Sequence, residues 1–331
     1  MTRICVFGAG AIGSHLATRA ALGGAEVCVI ARGPHLAAMK EHGITLHAAD
    51  GVKTVKVQAA ATAAEIGPVD AVLITTKVPA LPVAAEAIGP LLGADTPVAF
   101  VTNGIPWWYF LRHGGAQEGR RLPLLDPGGV IERLVGIERT LGGVVYSASE
   151  VIAPGVVKSE HADIKLFLGE PDGSLSDRAK MIAGFIDAGG MPCPVVNDIR
   201  HRVWGKLMGN ITSGPLCILS RSHMKATLAD GAVFDAGVRI ADEGAALARA
   251  YGFDLATSGE SRMRRSADIT HKPSILQDLE LGRAMEIDAL LTVPLLMAQE
   301  AGVAMPTFEL VARLATQAAT ASGLYTPAGG M

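Results

Sequence analysis

Two stretches of the chain hold residues whose type and spacing could do chemistry. The first is VWGKLMGNITSG, residues 203–214, where Lys206 and Asn210 would share one helix face, a turn apart. Around them Trp204, Leu207, Met208 and Ile211 are apolar enough to prefer the interior. Taken alone, the segment reads as a lysine that snorkels to the surface along its own stem. The sharper reading is an ammonium held where something needs it, because lysine is rarely buried without a reason. The second stretch is GAGAIG, residues 8–13, which matches G-x-G-x-x-G. That match is weak in a chain with 39 glycines. It gains weight from the strand RICVF before it, the helix after it and the strand EVCVIA at the right distance. In that setting Gly8 permits a tight turn, Gly10 lets the backbone approach a pyrophosphate, and Gly13 lets the helix pack closely on the strand. Gly8, Ala9, Gly10, Ala11, Ile12 and Gly13 are then the expected dinucleotide contacts, with a helix N-terminus facing the phosphates. A Gly-rich turn without a ligand is the alternative.

The tip of the second strand selects the dinucleotide. A site for NAD places Asp or Glu there to hold the ribose 2′-hydroxyl. This chain has VIARGPH, with Arg32 at that point and no acid nearby. A planar, permanently charged guanidinium suits a 2′-phosphate, which points to NADP(H). A plain surface arginine is the competing reading. Two further strands, DAVLITTK and VAFVTNG, end in Lys77 and Asn103 at the sheet edge where ligands bind in such folds. Lys77 could face a phosphate or a substrate carboxylate, and the Asn103 amide could anchor a nicotinamide or a carbonyl. Either could also be an ordinary loop residue.

The elements that must position these residues follow from the hydrophobic pattern. Of 331 residues, 49% are hydrophobic and 18% charged, which provides a large core and argues against disorder. The length suits two domains. The first half alternates short apolar strands with helices, the pattern of an α/β doubly wound parallel sheet of Rossmann type. The helix PHLAAMKEHG should close on Gly43, and ITLHA with VKTVKVQA reads as a hairpin. Further strands are expected in GGVVYSASEVIAPGVVKSE and DIKLFLGE, around a Pro-Gly turn. From about residue 200 a 3.6-residue apolar period dominates. The expected division is therefore residues 1–197 for nucleotide binding and residues 198–331 for an all-helical C-terminal domain. Residues after Ser322 read as a loose tail.

The formal net charge of −3, with one short basic run at Arg262, Arg264 and Arg265, gives no nucleic-acid footprint. No apolar stretch reaches the roughly 20 residues of a membrane helix, and the N-terminus lacks the form of a signal peptide. The four scattered cysteines form no disulfide framework, which fits a cytoplasmic protein. The nine histidines show no paired spacing, so no metal is expected. The last helices are apolar enough for a homodimer interface and equally for a domain core.

Taken in order, GAGAIG, Arg32, TTK ending at Lys77, TNG at 102–104, GKLMGN at 205–210 and PSILQDLELGRAMEID at 273–288 resemble the ketopantoate reductase (2-dehydropantoate 2-reductase) family. The likeness spans nearly the whole chain, and its later motifs are more specific than the glycine loop. It implies NADPH-dependent reduction of 2-dehydropantoate to pantoate, on the way to pantothenate and coenzyme A. It also implies roles: Lys206 as proton donor, Asn210 and Ser274 as substrate ligands, and Glu286 beside the cofactor and the catalytic lysine. Asn103 would touch both nicotinamide and substrate, Lys77 the cofactor, and Ala148 the cofactor through its backbone. A lysine in a partly desolvated cleft has its pKa lowered toward the working range, and Glu286 would pull it back up. In one straight helix, Ser274 and Glu286 would stand roughly 18 Å apart. Ser274 follows Pro273, so it is expected at the helix start, contacting the far end of the substrate, with Glu286 nearer the nicotinamide.

The chain also departs from the family pattern. Gly214 and Met224 stand where further asparagines are expected, and residues 105–129 replace a shorter loop. Trp107, Trp108 and Tyr109 in that insertion could form a lid, an oligomer contact or local core. These differences leave the reaction type intact and keep open a different small 2-oxo acid as substrate. A hydroxyisobutyrate-type dehydrogenase should show a Gly-rich substrate loop that is missing here. A non-catalytic NADP-binding sensor has no need of Lys206, Asn210 and Glu286 together.

Overall fold

The computed structural model describes residues 1–159 and 162–327. The chain divides into two compact units, Met1–Thr102 with Trp107–Ile199, and Asn103–Pro106 with Arg200–Met331. A single cut near residue 197 misses the short excursion at Asn103–Pro106.

The first unit is α/β. Its strands are β1 Arg3–Phe7, β2 Glu26–Ile30, β3 Ile44–Ala48, β4 Gly51–Val55, β5 Gln58–Ala60, β6 Ala71–Ile74, β7 Val98–Val101, β8 Thr140–Tyr146, β9 Ser149–Ala153, β10 Val156–Ser159 and β11 Lys165–Gly169. Seven of them form one sheet in the order β11-β8-β7-β6-β1-β2-β5, parallel throughout except for β11 against β8. The strands β1, β6 and β7 are apolar on both faces and almost wholly buried, as strands sandwiched between helices must be. The helices are α1 Ala11–Leu22, α2 Gly33–His42, α3 Leu81–Ala87, α4 Val130–Leu134 and α5 Asp177–Ala188. Helix α2 ends on Gly43 at φ +79°, the expected cap.

A second sheet has the order β4-β3-β10-β9. The hairpin reading holds for β3 and β4, which pair antiparallel. It fails for the end of VKTVKVQA, because Gln58–Ala60 leaves the hairpin and pairs parallel with β2 in the main sheet. Alternation fixes which residues face the same way, and it says nothing about the partner strand. In the insertion after Asn103 the aromatic residues are local core and no lid. Trp107, Trp108 and Tyr109 are 3%, 1% and 0% exposed, and Trp107 packs edge-on against Phe100 at 5.6 Å.

The second unit is helical: α6 Ile199–Ser220, α7 Met224–Thr227, α8 Gly231–Ala250, α9 Gly259–Ser266, α10 Ser274–Glu280, α11 Val293–Glu300 and α12 Pro306–Ala321, with a π turn at Asp288–Thr292 before α11. In α6 the apolar set Trp204, Leu207, Met208 and Ile211 is buried, and Met208 and Ile211 meet α8 at Gly244. Each such side chain stabilises the fold by roughly 1.5–3 kcal/mol. Met224 is buried too. The segment after Ser322 is docked along the part that is described. The Leu324 carbonyl accepts from the Met285 amide at 3.1 Å, and the Tyr325 hydroxyl donates to Asp288 Oδ1 at 2.6 Å. Residues 328–331 of the expected tail lie outside the described residues. Among the described residues no helix is long and apolar enough to cross a membrane.

Candidate active site

The first unit gathers Gly8–Gly13, Arg32 and Lys77 at the carboxyl ends of β1, β2 and β6. There the chain leaves β1 between two parallel neighbours, the switch point at which open α/β sheets take ligands. The three glycines have distinct reasons. A Cβ on Gly13 would lie 2.3 Å from the Gly8 carbonyl oxygen and 2.5 Å from Thr75 Oγ1, so only glycine closes this turn. Gly8 sits at φ +103° with Thr76 against it. A Cβ on Gly10 would meet nothing within 4 Å, so its open side is where a ligand can come close. The Gly8 and Ala9 amides both donate to the Ile30 carbonyl, and the Gly10 amide to Gly8. The amides of Ala11 and Ile12 in the first turn of α1 have no acceptor within the helix, and Gly10 caps it without a side chain. This cradle fits a pyrophosphate: the Ala9 amide is already bonded to Ile30, and the amides of Ala11 and Ile12 are open to a ligand. Arg32 is exposed just beyond β2 as the N-cap of α2, and Lys77 is half-buried after β6.

Three further side chains shape this loop: Thr75, in the TTK motif, and His35 and His15, which belong to no motif. Thr75 Oγ1 donates to the Gly8 carbonyl at 2.8 Å. His35 Nδ1 accepts from the Gly155 amide at 2.8 Å, which leaves Nε2–H facing Ser14 Oγ at 3.4 Å. His15 is buried in α1 and desolvation, with Arg19 beside it, lowers its pKa to about 4. Arg19 Nε donates to His15 Nε2, so the proton sits on Nδ1, facing Ser147 Oγ at 3.0 Å and Ser149 Oγ at 3.2 Å. Those two serines flank Ala148, so His15 ties the Ala148 backbone to the helix that follows the glycine loop.

In the second unit Lys206, Asn210 and Gly214 follow one another along one face of α6. Burial lowers the Lys206 pKa from 10.5 to about 8, and the charge of Glu286 opposes the fall. Glu286 is 6% exposed, and its Oε2 accepts from Asn103 Nδ2 at 3.3 Å. Asn103 and Glu286 are 183 positions apart in sequence, and the backbone explains how they meet. Gly104 has φ +79°, and a Cβ on it would lie 2.3 Å from the Ala289 carbonyl oxygen. The Ile105 amide donates to that same oxygen at 3.0 Å. The carbonyl is available because the π turn sends the Val293 amide to Asp288, and the next residue, Pro294, has no amide to give.

One turn beyond Lys206, the Nδ2 of Asn210 is buried with no hydrogen-bond partner among the described residues. Leaving such a donor unmet costs about 1–3 kcal/mol. A further turn on, a Cβ at Gly214 would sit 3.4 Å from Ile275 Cγ2. Ser274, its neighbour, is exposed and is the first residue of α10, which ends at Glu280. Ser274 and Glu286 therefore do not share a helix. They border opposite ends of the α6 face, which rises about 12 Å between Lys206 and Gly214.

The chain matches the family model described as ketopantoate reductase PanE/ApbA over residues 4–173, and the model of that family's C-terminal part over residues 198–319. It is 38% identical to a 2-dehydropantoate 2-reductase of Mesorhizobium japonicum over 327 residues, covering 98% of this chain and 100% of the relative. A crystal structure from Ralstonia solanacearum MolK2, described provisionally as a ketopantoate reductase, superposes with a TM-score of 0.90 at 34% identity, covering 98% of this chain and 100% of the other. A 2-dehydropantoate 2-reductase structure from Geobacter metallireducens GS-15 does so with a TM-score of 0.82 at 27% identity, covering 96% and 99%. The chain belongs to the ketopantoate reductase PanE/ApbA family and is an NAD(P)-dependent oxidoreductase.

Proposed function

We propose that the protein reduces the ketone of 2-dehydropantoate to the hydroxyl of pantoate, with NADPH as reductant. The observation that carries this reading is the Lys206 ammonium, partly desolvated, with Glu286 acting on it and Asn103 bonded to Glu286. When bound, the dinucleotide supplies the hydride. Ala11 and Ile12 would hold its pyrophosphate, and Arg32 its 2′-phosphate, with Lys77 and the Ala148 backbone adding contacts. As hydride reaches the carbonyl carbon, the ketone oxygen gains negative charge. Lys206 Nζ gives it a proton as that charge develops, so the product leaves as a neutral hydroxyl and the amine is reprotonated from solvent. Glu286 keeps Lys206 protonated at neutral pH. Asn103 holds Glu286 and offers a contact to nicotinamide and substrate. Asn210 gives its unmet donor to a substrate oxygen, and Ser274 takes the far end. The four cysteines, buried and unlinked, suit a reducing cytoplasm.

Gly214 favours one second reading. The side of α6 where the family pattern has an amide is bounded here by Ile275, a hydrocarbon wall that would accept a 2-oxo acid with a larger apolar side chain. The test is oxidation of NADPH and of NADH by purified protein against 2-dehydropantoate and a panel of 2-oxo acids, with Lys206→Ala and Arg32→Ala beside the wild type. The expected result is turnover of 2-dehydropantoate that is largely lost in Lys206→Ala with NADPH binding retained, and a preference for NADPH that Arg32→Ala erases. Turnover confined to bulkier acids moves the assignment to the second reading. Full activity in Lys206→Ala overturns the mechanism.

A further inference from the structure

Glu286 lies on a stretch between α10 and the π turn, where its carbonyl takes the Leu290 amide at 3.3 Å and no other regular structure holds the residues before it. Helix α10 ends at Glu280, Gly282 turns at φ +64°, and the π turn begins only at Asp288. A carboxylate that must stay beside one ammonium cannot depend on such a stretch alone, so its neighbours have to fix it. On its N-terminal side the Arg283 amide bonds the Asp278 carbonyl at 2.8 Å, and the amide of buried Met285 bonds the Leu324 carbonyl at 3.1 Å. On its C-terminal side Asp288 Oδ1 accepts a 2.6 Å hydrogen bond from the Tyr325 hydroxyl. Residues 324 and 325 thus hold the stretch both before and after Glu286. They lie beyond residue 319, where the match to the family's C-terminal model ends.

We propose that the C-terminal segment is a clasp for the catalytic carboxylate, with Tyr325 as a positioning residue that acts through Asp288 on Glu286 and so on Lys206. The inference rests on the functional reading above. The Tyr325 hydroxyl touches neither Lys206 nor any reacting atom. It meets Asp288 at the start of the π turn and Thr292 at its end, and the π turn carries the Ala289 carbonyl that seats Asn103–Pro106. Burial and the adjacent Asp288 carboxylate push the Tyr325 phenol upward, so it remains a donor across the working pH range. Glu286 is the charged group that acts on Lys206. A clasp that slackens therefore changes the charge state of the lysine and not only the stability of the fold.

The test is Tyr325→Phe, which removes the hydroxyl alone, with Asp288→Ala and the double variant. Two measurements are made on the full chain. One is the pH dependence of competitive acetylation of Lys206 by acetic anhydride, followed by mass spectrometry, which needs no turnover. The other is the pH profile of kcat/KM with the best 2-oxo acid. The expected result is a Lys206 pKa and an alkaline limb that both fall by about half a unit or more, because the carboxylate no longer sits as close. Asp288→Ala should shift the pKa in the same direction and the double variant no further than Tyr325→Phe alone, since the Asp288 bond is lost in both and only the Thr292 bond separates them. If Tyr325→Phe fails to fold, Asp288→Ala carries the same labelling test. A lowered melting temperature with an unmoved Lys206 pKa overturns the proposal and leaves Tyr325 a structural residue. A shifted labelling pKa in a protein that reduces no 2-oxo acid supports the clasp while removing the functional reading, so the two fail separately.

Discussion

Replacing Glu286 by Gln gives the sharpest test of why Lys206 stands where it does. Gln keeps the shape and an oxygen for the Asn103 amide, and it removes only the charge. Lys206 titrates at about 8 because burial lowers it from 10.5 and Glu286 pulls it partly back. An opposite charge within a few ångströms is worth about 1–3 pKa units. Without it, Lys206 should titrate between about 5 and 7. The sign follows from the chemistry. The protonated lysine is the donor, so rate is lost as pH rises through its pKa, and the alkaline limb must move to lower pH. At pH 7.5, a pKa of about 8 leaves roughly three-quarters of the lysine protonated, and a pKa of about 6 leaves roughly 3%. The variant should therefore be about 25-fold slower there and approach wild type near pH 5. The assay is kcat/KM for the 2-oxo acid from about pH 5 to about pH 10 at saturating NADPH, with binding of NADPH measured separately. A limb that stays within about 0.3 unit of wild type, or rises, would refute the electrostatic account of the pair.

Two further predictions follow from buried geometry. Gly10→Ala should fold with wild-type stability, because its Cβ meets nothing, yet lose NADPH affinity; Gly13→Ala should lose both, because its Cβ falls 2.3 Å from the Gly8 carbonyl oxygen. Thermal melts with and without NADPH separate the two, and equal behaviour would remove the pyrophosphate from this loop. Asn210→Ala should raise KM for the 2-oxo acid about tenfold or more while leaving the ligand-free melting temperature unchanged or higher, since the lost amide has an unmet donor costing about 1–3 kcal/mol. A melting temperature lowered by several degrees would mean that the amide serves the fold.

Much of this was legible because the relevant information is local. Gly8, Gly10 and Gly13 occupy one turn, Gly43 ends one helix, and Lys206 and Asn210 share one face of α6 because a helix puts residues four apart together. Periodicity also marks the change to helices near residue 200. What it does not mark is partnership across the chain. Gln58–Ala60 alternates as well with β3 and β4 as with β2, and only the assembled sheet decides. Trp107, Trp108 and Tyr109 look the same in sequence whether they cover a ligand or fill a core. His15 is an ordinary histidine until Arg19 takes one ring nitrogen and Ser147 and Ser149 the other. The Gly- and Pro-rich composition after Ser322 hides two residues with fixed partners, because one of the two bonds is made by backbone and composition is blind to it.

The meeting of Asn103 with Glu286 joins these two cases. Its local causes are all in the sequence: a glycine at 104, an asparagine before it, a proline at 294. Each is unremarkable alone. In a regular helix Pro294 would orphan the carbonyl of Leu290, four residues back. The π turn moves that deficit one residue earlier, to Ala289, and the Ile105 amide meets it. An orphaned carbonyl thus becomes an anchor for a segment more than 180 positions away. Gly104 is needed because the anchor brings two backbones within reach of each other, and Asn103 is thereby set at hydrogen-bonding distance from the carboxylate. Proline in a helix usually reads as a defect to be tolerated; here the missing hydrogen bond is the means by which the site is assembled. The same logic extends to the other side of Glu286, where the Met285 amide, lacking a partner in any helix, takes the Leu324 carbonyl. Beside the side chains of Asn103 and Tyr325, backbone groups that regular structure leaves unpaired hold the stretch around the carboxylate, and no pattern of side chains along the chain announces those.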